Sequence, residues 1–129
     1  MDVAQALGNA TMRRIAVGTH LFVAAWMLIS GIAHQSQVLW RAKQGTLAEG
    51  ANVTSLLLLG AALIAVGAVF SVTAWPLTRA QVWPALAGLG FLAAVIAAVA
   101  YGCGFRFLFG SIALAIIDSI AVAVFARSR

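Results

Sequence analysis

The stretch 53–75 reads VTSLLLLGAALIAVGAVFSVTAW and contains no charged residue. It is longer than the ~20 residues that an α-helix needs to cross the ~30 Å hydrocarbon core of a bilayer. Because hydrocarbon offers no hydrogen bonds to the backbone, a crossing segment must satisfy its own peptide groups, as a helix does. The stretch therefore predicts a transmembrane helix.

Three further apolar stretches have a similar length. One lies before residues 53–75, at about residues 15–33, and two lie after them, at about residues 82–101 and 105–126. Each approaches the ~20 residues required for a crossing. The sequence therefore predicts an all-α fold, a polytopic membrane protein with a four-transmembrane-helix bundle that forms a single domain over residues 1–129.

The composition supports lipid as the solvent of this chain. Of its 129 residues, 64% are hydrophobic and 9% are charged, whereas soluble domains average ~45–50% apolar and ~25% charged residues. The net charge of +5 comes from basic residues scattered between apolar runs, without a basic stripe or a nucleic-acid motif. We expect the lipid bilayer, and no nucleic acid, as a partner.

The basic residues also predict an orientation. Five lie on the side of the N-terminus and three on the opposite side, and loops rich in Lys and Arg tend to remain in the cytoplasm. We therefore expect both termini in the cytoplasm, in a cell membrane such as the bacterial inner membrane. The five are Arg13, Arg14, Arg79, Arg127 and Arg129, and the three are Arg41, Lys43 and Arg106.

The first connection, residues 34–51, is the long one. Within it, Thr46 and Glu49 have the spacing of a capping box, in which the two side chains satisfy free amides at a helix start. We expect a short interfacial helix there or an N-terminal extension of the second helix, with Trp40 at the level of the lipid head groups.

Small residues at four-residue spacing predict the packing faces, because they let helix backbones approach closely in lipid. Such a line is clearest in the third helix and is also present in the second and fourth. We expect a compact bundle that forms a homo- or hetero-oligomer with other membrane proteins. The lines are Gly90, Ala94, Ala98 and Gly102; Gly60, Gly67 and Ser71; and Ser111, Ala115, Ser119 and Ala123.

Asp118 is the sharpest polar feature of the sequence, because it lies well inside the fourth apolar stretch. An ionisable side chain at that depth costs several kcal/mol unless it faces a cavity or a partner. One interpretation is a neutral Asp118 that hydrogen-bonds a neighbouring helix as a structural link. The alternative is a proton relay, a ligand-binding residue or a catalytic residue.

His20 and His34 belong to the first helix and point the same way, with Ala24, Met27 and Gly31 between them. At 1.5 Å per residue they lie about 21 Å apart along the helix axis. They therefore cannot share one metal ion, and no other set of His, Cys or carboxylate side chains has metal-site spacing. We expect no metal and no cofactor.

Depth decides which histidine can reach Asp118. His20 and Asp118 differ by about 6 Å in depth from the same membrane surface, so a contact is feasible. The alternative for His20 is a side chain that extends to the head groups. His34 lies near the opposite surface, either as a solvated residue or in a polar mouth. The other members of that mouth would be Gln35, Gln37, Tyr101, Cys103 and Arg106.

The remaining candidates are aromatic or basic. Trp26 lies near the middle of the first helix, where it packs on the bundle or on lipid, or else stacks on a bound group. Tyr101 ends the third helix, where aromatic residues anchor membrane proteins at the interface. Arg106 begins the fourth helix with a side chain long enough to reach head groups. With Asp118 and His20, these three complete the predicted binding residues; Asp118, His20 and His34 are the catalytic candidates.

Three functions are compatible with these residues. The first is a non-catalytic subunit or scaffold of a membrane assembly, favoured by the few polar residues and the small-residue faces. The second is an oligomeric proton-coupled transporter or channel for a small molecule that uses Asp118. The third is a membrane-embedded acid–base enzyme, an isomerase or cyclase on a lipophilic substrate, with Asp118 as acid and a histidine as base.

Overall fold

The computed structural model describes residues 2–103 and 109–128, and in these ranges the chain forms four α-helices. Each of the four is long enough and apolar enough to cross a membrane. Large apolar side chains such as Ile29, Leu58, Val72 and Ile117 are exposed on the outside of the helices, as expected of a surface that faces lipid. The predicted four-transmembrane-helix bundle is therefore confirmed. Its helices are α1 (Val3–Gln44), α2 (Val53–Thr78), α3 (Trp83–Cys103) and α4 (Phe109–Ser128).

The helices pack around a shared core in the order of the chain. α1 contacts α2 and α4, and α3 contacts the same two helices from the other side. We call the end of the bundle that holds the connection 79–82 and the last turn of α4 the terminal end. The opposite end, which holds the connection 45–52, we call the far end.

α1 is longer than the predicted span of residues 15–33, because it runs through 42 residues, or about 63 Å at 1.5 Å per residue. The Asp2 side chain accepts a hydrogen bond from the Gln5 amide at 2.7 Å and caps the helix start. Gly45 ends the helix in the left-handed conformation, with φ 70°. The length of an apolar run predicts the part of a helix that crosses the membrane. It does not predict the helical turns that extend this part at either end.

The predicted capping box of Thr46 and Glu49 does not begin a helix, and this part of the prediction is wrong. The Thr46 amide donates to the Arg41 carbonyl at 2.9 Å, so Thr46 closes the end of α1. The helical extension in the first loop belongs to α1 instead of α2. The N-cap of α2 is Asn52, whose side chain accepts from the Ser55 amide at 3.3 Å.

α1 and α2 approach closely through glycines, as the small residues of the second helix predict. A Cβ added at Gly31 would lie 2.7 Å from Ile64 Cγ1 and 3.1 Å from the Gly60 carbonyl oxygen. A Cβ added at Gly67 would lie 2.6 Å from Leu28 Cγ. Both distances are shorter than van der Waals contact, so only glycine permits this helix spacing. Ser71, the third member of the predicted line, is exposed.

The small-residue line of α3 does not pack within the bundle, contrary to the sequence-based expectation of its cleanest packing ridge. Gly90, Ala94 and Ala98 are exposed, and a Cβ added at Gly90 would meet nothing within 4 Å. α3 instead buries Ala85, Leu89 and Leu92, among other residues of one face. Larger apolar side chains bury more surface per residue, and they determine which face turns inward.

The small-residue line of α4 is partly inside the bundle and partly on its outer surface. Ser111 and Ala115 are half-buried, whereas Ser119 and Ala123 are exposed. The predicted start of the fourth helix at residue 105 lies outside the described residues.

Candidate functional site

Asp118 projects from α4 into the centre of the bundle, and none of its side chain is exposed. It shares the inward face of α4 with Val122 and Phe125, which lie four and seven residues further on. This i, i+4, i+7 spacing places the three side chains on one side of the helix. The outward face at the same level holds Ile117 and Ile120, both exposed. Helical periodicity therefore determines that the carboxyl group points away from lipid.

His20 meets Asp118 from α1. Its Nδ1 lies 2.7 Å from Asp118 Oδ2, and neither side chain has any exposed surface. The contact that the depth argument made feasible is thus confirmed, and His20 does not extend to the head groups. The contact joins residues that are 98 positions apart, so it fixes α4 against α1. A functional role for the pair stays a prediction.

Thr73 of α2 is a third member of this network, and the sequence analysis did not identify it. Its Oγ1 lies 2.8 Å from His20 Nε2 and 2.8 Å from the Val69 carbonyl oxygen of its own helix. A signal for Thr73 existed, because it is a polar residue in an apolar helix close to the terminal end. A comparison of depths in the membrane, as made for His20 and Asp118, predicts that Thr73 lies at the level of these two residues.

Phe70 covers the imidazole of His20. The two rings stack with centroids 4.3 Å apart and an interplanar angle of 12°, and Phe70 is itself fully buried. Stacked aromatic rings exclude water from the face that they cover. Phe70 of α2 therefore shields one face of the His20 imidazole from water.

The direction of the Thr73 hydrogen bonds sets the positions of the protons in the network. When the Thr73 hydroxyl donates to the Val69 carbonyl, which only accepts, the hydroxyl oxygen accepts from His20 Nε2–H. One further proton then lies between His20 Nδ1 and Asp118 Oδ2. Either an imidazolium faces a carboxylate or an imidazole faces a carboxylic acid, and the pair is neutral overall in both states. A neutral pair is the state that a hydrocarbon environment tolerates best.

One atom of the network lacks a partner. Asp118 Oδ1 is buried and has no hydrogen bond within the described part of the chain. A buried unpaired acceptor costs about 1–3 kcal/mol. Asp118 therefore remains under a penalty even with His20 beside it, and the loss of the His20 contact would leave both oxygens unpaired.

His34 occupies a different part of the bundle, near the far end. Its Nε2–H donates to the Leu56 carbonyl oxygen at 2.9 Å, and the neighbouring Gln35 Nε2 donates to the Leu57 carbonyl at 2.9 Å. Both bonds join α1 to the first turns of α2. His34 is half-buried and lines a cavity of about 530 Å³ between the helices, together with Trp26.

The predicted polar mouth does not come together among the described residues. Tyr101 is 97% exposed and lines a separate apolar groove between α3 and α4, with Ile116 and Ile120 among its walls. His34 does not line that groove. Arg106, another predicted member of the mouth, lies outside the described residues.

Trp26 is half exposed and stacks loosely on Phe22, with ring centroids 6.3 Å apart. It therefore lies at the surface of the bundle beside the cavity that contains His34. No group of three or more His, Cys, Asp or Glu side chains lies close enough to hold a metal ion in residues 2–103 and 109–128.

Comparison of the chain with protein-family models, with curated proteins and with solved structures found no match.

Proposed function

We propose that the chain is a non-catalytic structural subunit or scaffold of a membrane assembly. The observation that carries the proposal is the sealed state of its most polar pair: His20 and Asp118 have no exposed surface and bind each other. A residue that transfers protons to a substrate must come within about 3 Å of it. A fully enclosed pair lacks that access.

The network is well suited to a structural role. His20, Thr73 and Asp118 come from α1, α2 and α4, so their two hydrogen bonds link three helices near the terminal end. In lipid, helices gain little from the hydrophobic effect, and polar contacts between them add stability and specificity. The network thus fixes which faces of the three helices turn inward.

The outward face of α3 supplies the surface for assembly. Gly90, Ala94 and Ala98 form an exposed line of small residues, which allows another transmembrane helix to approach closely. We propose that this helix belongs to a second copy of the chain or to a different subunit. The exposed line and the sealed network together favour a protein that holds partners over one that transforms a substrate.

The two alternatives receive less support. A proton-coupled transporter or channel needs a path to Asp118, and an acid–base enzyme needs a substrate cavity beside it. Neither Asp118 nor His20 is among the residues that line the groove of Tyr101, the cavity of His34 or the cavity beside Arg13.

The location proposed is a cell membrane, such as the bacterial inner membrane, with both termini in the cytoplasm. Arg13, Arg14 and Arg79 all lie toward the terminal end. The Arg79 guanidinium carbon lies 5.1 Å from the centroid of the Trp75 ring, an arrangement typical of a membrane interface.

The experiment is a size measurement on the tagged chain, extracted from its membrane with a polymer that retains native lipid. We expect the wild type in particles that hold more than one protein chain, and we expect Ala94→Leu to shift the distribution toward single chains. Ala65→Leu is the matched control, because Ala65 is an exposed alanine near the middle of α2.

Wild-type particles with a single protein chain would contradict the proposal. So would an Ala94→Leu variant that keeps the wild-type particle size.

A further inference from the structure

The cavity near the far end is a separate feature from the His20–Asp118 network. All four helices contribute to its wall, and its volume is about 530 Å³. Cavities of ~300–1,000 Å³ with mainly apolar walls and a few polar groups are typical of small-molecule sites. The cavity is therefore large enough for a ligand and has the general character of a binding site.

The long dimension of the cavity follows α1 and α2. Its wall extends from Trp26 to His34 on α1 and from Leu56 to Leu63 on α2. At 1.5 Å per residue, these segments are about 12 Å and about 10 Å long. Val23 and Val66 are fully buried below this level, so core side chains separate the cavity from the His20–Asp118 network.

Three polar groups line this cavity without partners among the residues that the structure describes. His34 Nε2–H is used by the Leu56 carbonyl, which leaves Nδ1 of the neutral ring as an acceptor. Ser30 and Ser111 are half-buried, and their hydroxyls make no side-chain hydrogen bond. Thr19 and Ser119 behave differently, because each donates to the carbonyl four residues earlier.

The remaining wall is apolar, with leucine side chains from α2 and Val99 from α3. One hydroxyl group on a ligand would donate to His34 Nδ1 and accept from a serine hydroxyl. The rest of that ligand must be hydrocarbon to match the wall. A carboxylate or an ammonium group is disfavoured, because none of the described residues that line the cavity is acidic, lysine or arginine.

We propose that this cavity binds a lipophilic alcohol, a hydrocarbon body with one hydroxyl group that hydrogen-bonds His34 Nδ1. The proposal goes beyond the structural role argued above and does not depend on the oligomeric state of the chain. The alcohol is either a membrane lipid or a solute that enters from the water, and the test separates the two sources.

The test uses the fluorescence of Trp26, which lines the cavity. The full chain carries Trp40→Phe, Trp75→Phe and Trp83→Phe, so that Trp26 is its only tryptophan, and it is placed in lipid nanodiscs. The probe is 10-bromodecan-1-ol, whose bromine quenches nearby indole, and 1-bromodecane is the matched probe without the hydroxyl. We expect saturable quenching by the alcohol and weaker, non-saturable quenching by the bromoalkane.

Two variants locate the bound probe. His34→Leu removes the acceptor, and we expect the half-saturating concentration of the alcohol to rise by about five- to tenfold, as for the loss of one hydrogen bond. The second variant combines Val99→Trp with Trp26→Phe and fills the cavity. Saturable quenching of the indole at position 99 should therefore be absent. A chain whose only tryptophan is Trp75, which is exposed on the outer surface, controls for partition into lipid.

Native mass spectrometry of the chain released from its own membrane separates the sources. An adduct that is present in the wild type and lost in Val99→Trp identifies a membrane lipid. Saturable probe binding without an adduct identifies a solute. Equal quenching by the alcohol and the bromoalkane, or an unchanged half-saturating concentration in His34→Leu, would overturn the proposal.

Discussion

His20 Nδ1 on α1 lies 2.7 Å from Asp118 Oδ2 on α4, and both side chains are fully buried. The Thr73 hydroxyl of α2 holds the other nitrogen of the same imidazole at 2.8 Å. Three helices therefore meet at one histidine ring, which has a partner at each nitrogen. This arrangement explains why a chain with so few charged residues has a carboxyl group in the middle of its last helix.

Replacement of Asp118 separates the hydrogen bond from the charge. Asp118→Asn keeps a donor that reaches the neutral His20 Nδ1, so we expect the free energy of unfolding to fall by only about 1 kcal/mol. Asp118→Ala removes the donor and leaves a small void, and we expect a loss of about 3 kcal/mol. Reversible unfolding in bilayers measures both values. Equal losses in the two variants would contradict a hydrogen-bonded structural pair.

A substitution at Thr73 tests the hydrogen bond at His20 Nε2, on the side of the imidazole opposite Asp118. Thr73→Val keeps the shape of the side chain but leaves His20 Nε2–H unpaired, so we expect the free energy of unfolding to fall by about 1–3 kcal/mol. Thr73→Ser keeps the hydroxyl and is the control. In a double-mutant cycle with Asp118→Ala, the combined loss should be smaller than the sum, because both partners act through one ring. Additive losses would mean that Thr73 and Asp118 act independently.

Gly31 tests the close contact of α1 with α2. A Cβ at this position would lie 3.0 Å from the Ile64 backbone nitrogen as well as against its side chain. Gly31→Ala therefore forces the helices apart, and we expect a loss of about 1–3 kcal/mol in the free energy of unfolding. Gly18→Ala is the matched control on the same helix, because a Cβ added at Gly18 would meet nothing within 4 Å. It should leave stability unchanged or raise it by up to about 1 kcal/mol.

The proposed orientation predicts which loops face the cytoplasm. In a Cys103→Ser background, a cysteine at Gln81 should react with a membrane-impermeant thiol reagent only when the cytoplasmic side is open, and a cysteine at Glu49 only from the opposite side. Both positions are exposed on the connections between helices. Labelling of Gln81→Cys in intact cells would show that the orientation is the opposite of the one proposed.

Hydropathy and depth predict much of this fold from the sequence alone. The four spans follow from apolar length, and the His20–Asp118 contact follows from matched depths on two helices. The full length of α1 does not follow, because its ends, which are capped by Asp2 and Gly45, mix polar and apolar residues and form no continuous apolar run.

The sequence does not predict which face of α3 turns inward. The spacing of Gly90 and Ala94 indicates a surface suited to close approach, but it does not specify the helix that approaches. Leu89 and Leu92 turn inward in the structure, because packing within the chain selects the face that buries more apolar area. A pattern of small residues therefore leaves open whether it serves the fold or an assembly.

The central claim is that the His20–Asp118 network is sealed and structural. Hydrogen–deuterium exchange of the histidine ring N–H groups, followed by solid-state NMR of the chain in lipid, tests it most directly. His34 is the internal control, because it is half-buried beside a cavity. We predict that the His20 ring N–H signals persist long after those of His34 have exchanged. Exchange of His20 as fast as that of His34 would reveal a water path to Asp118 and would contradict the account.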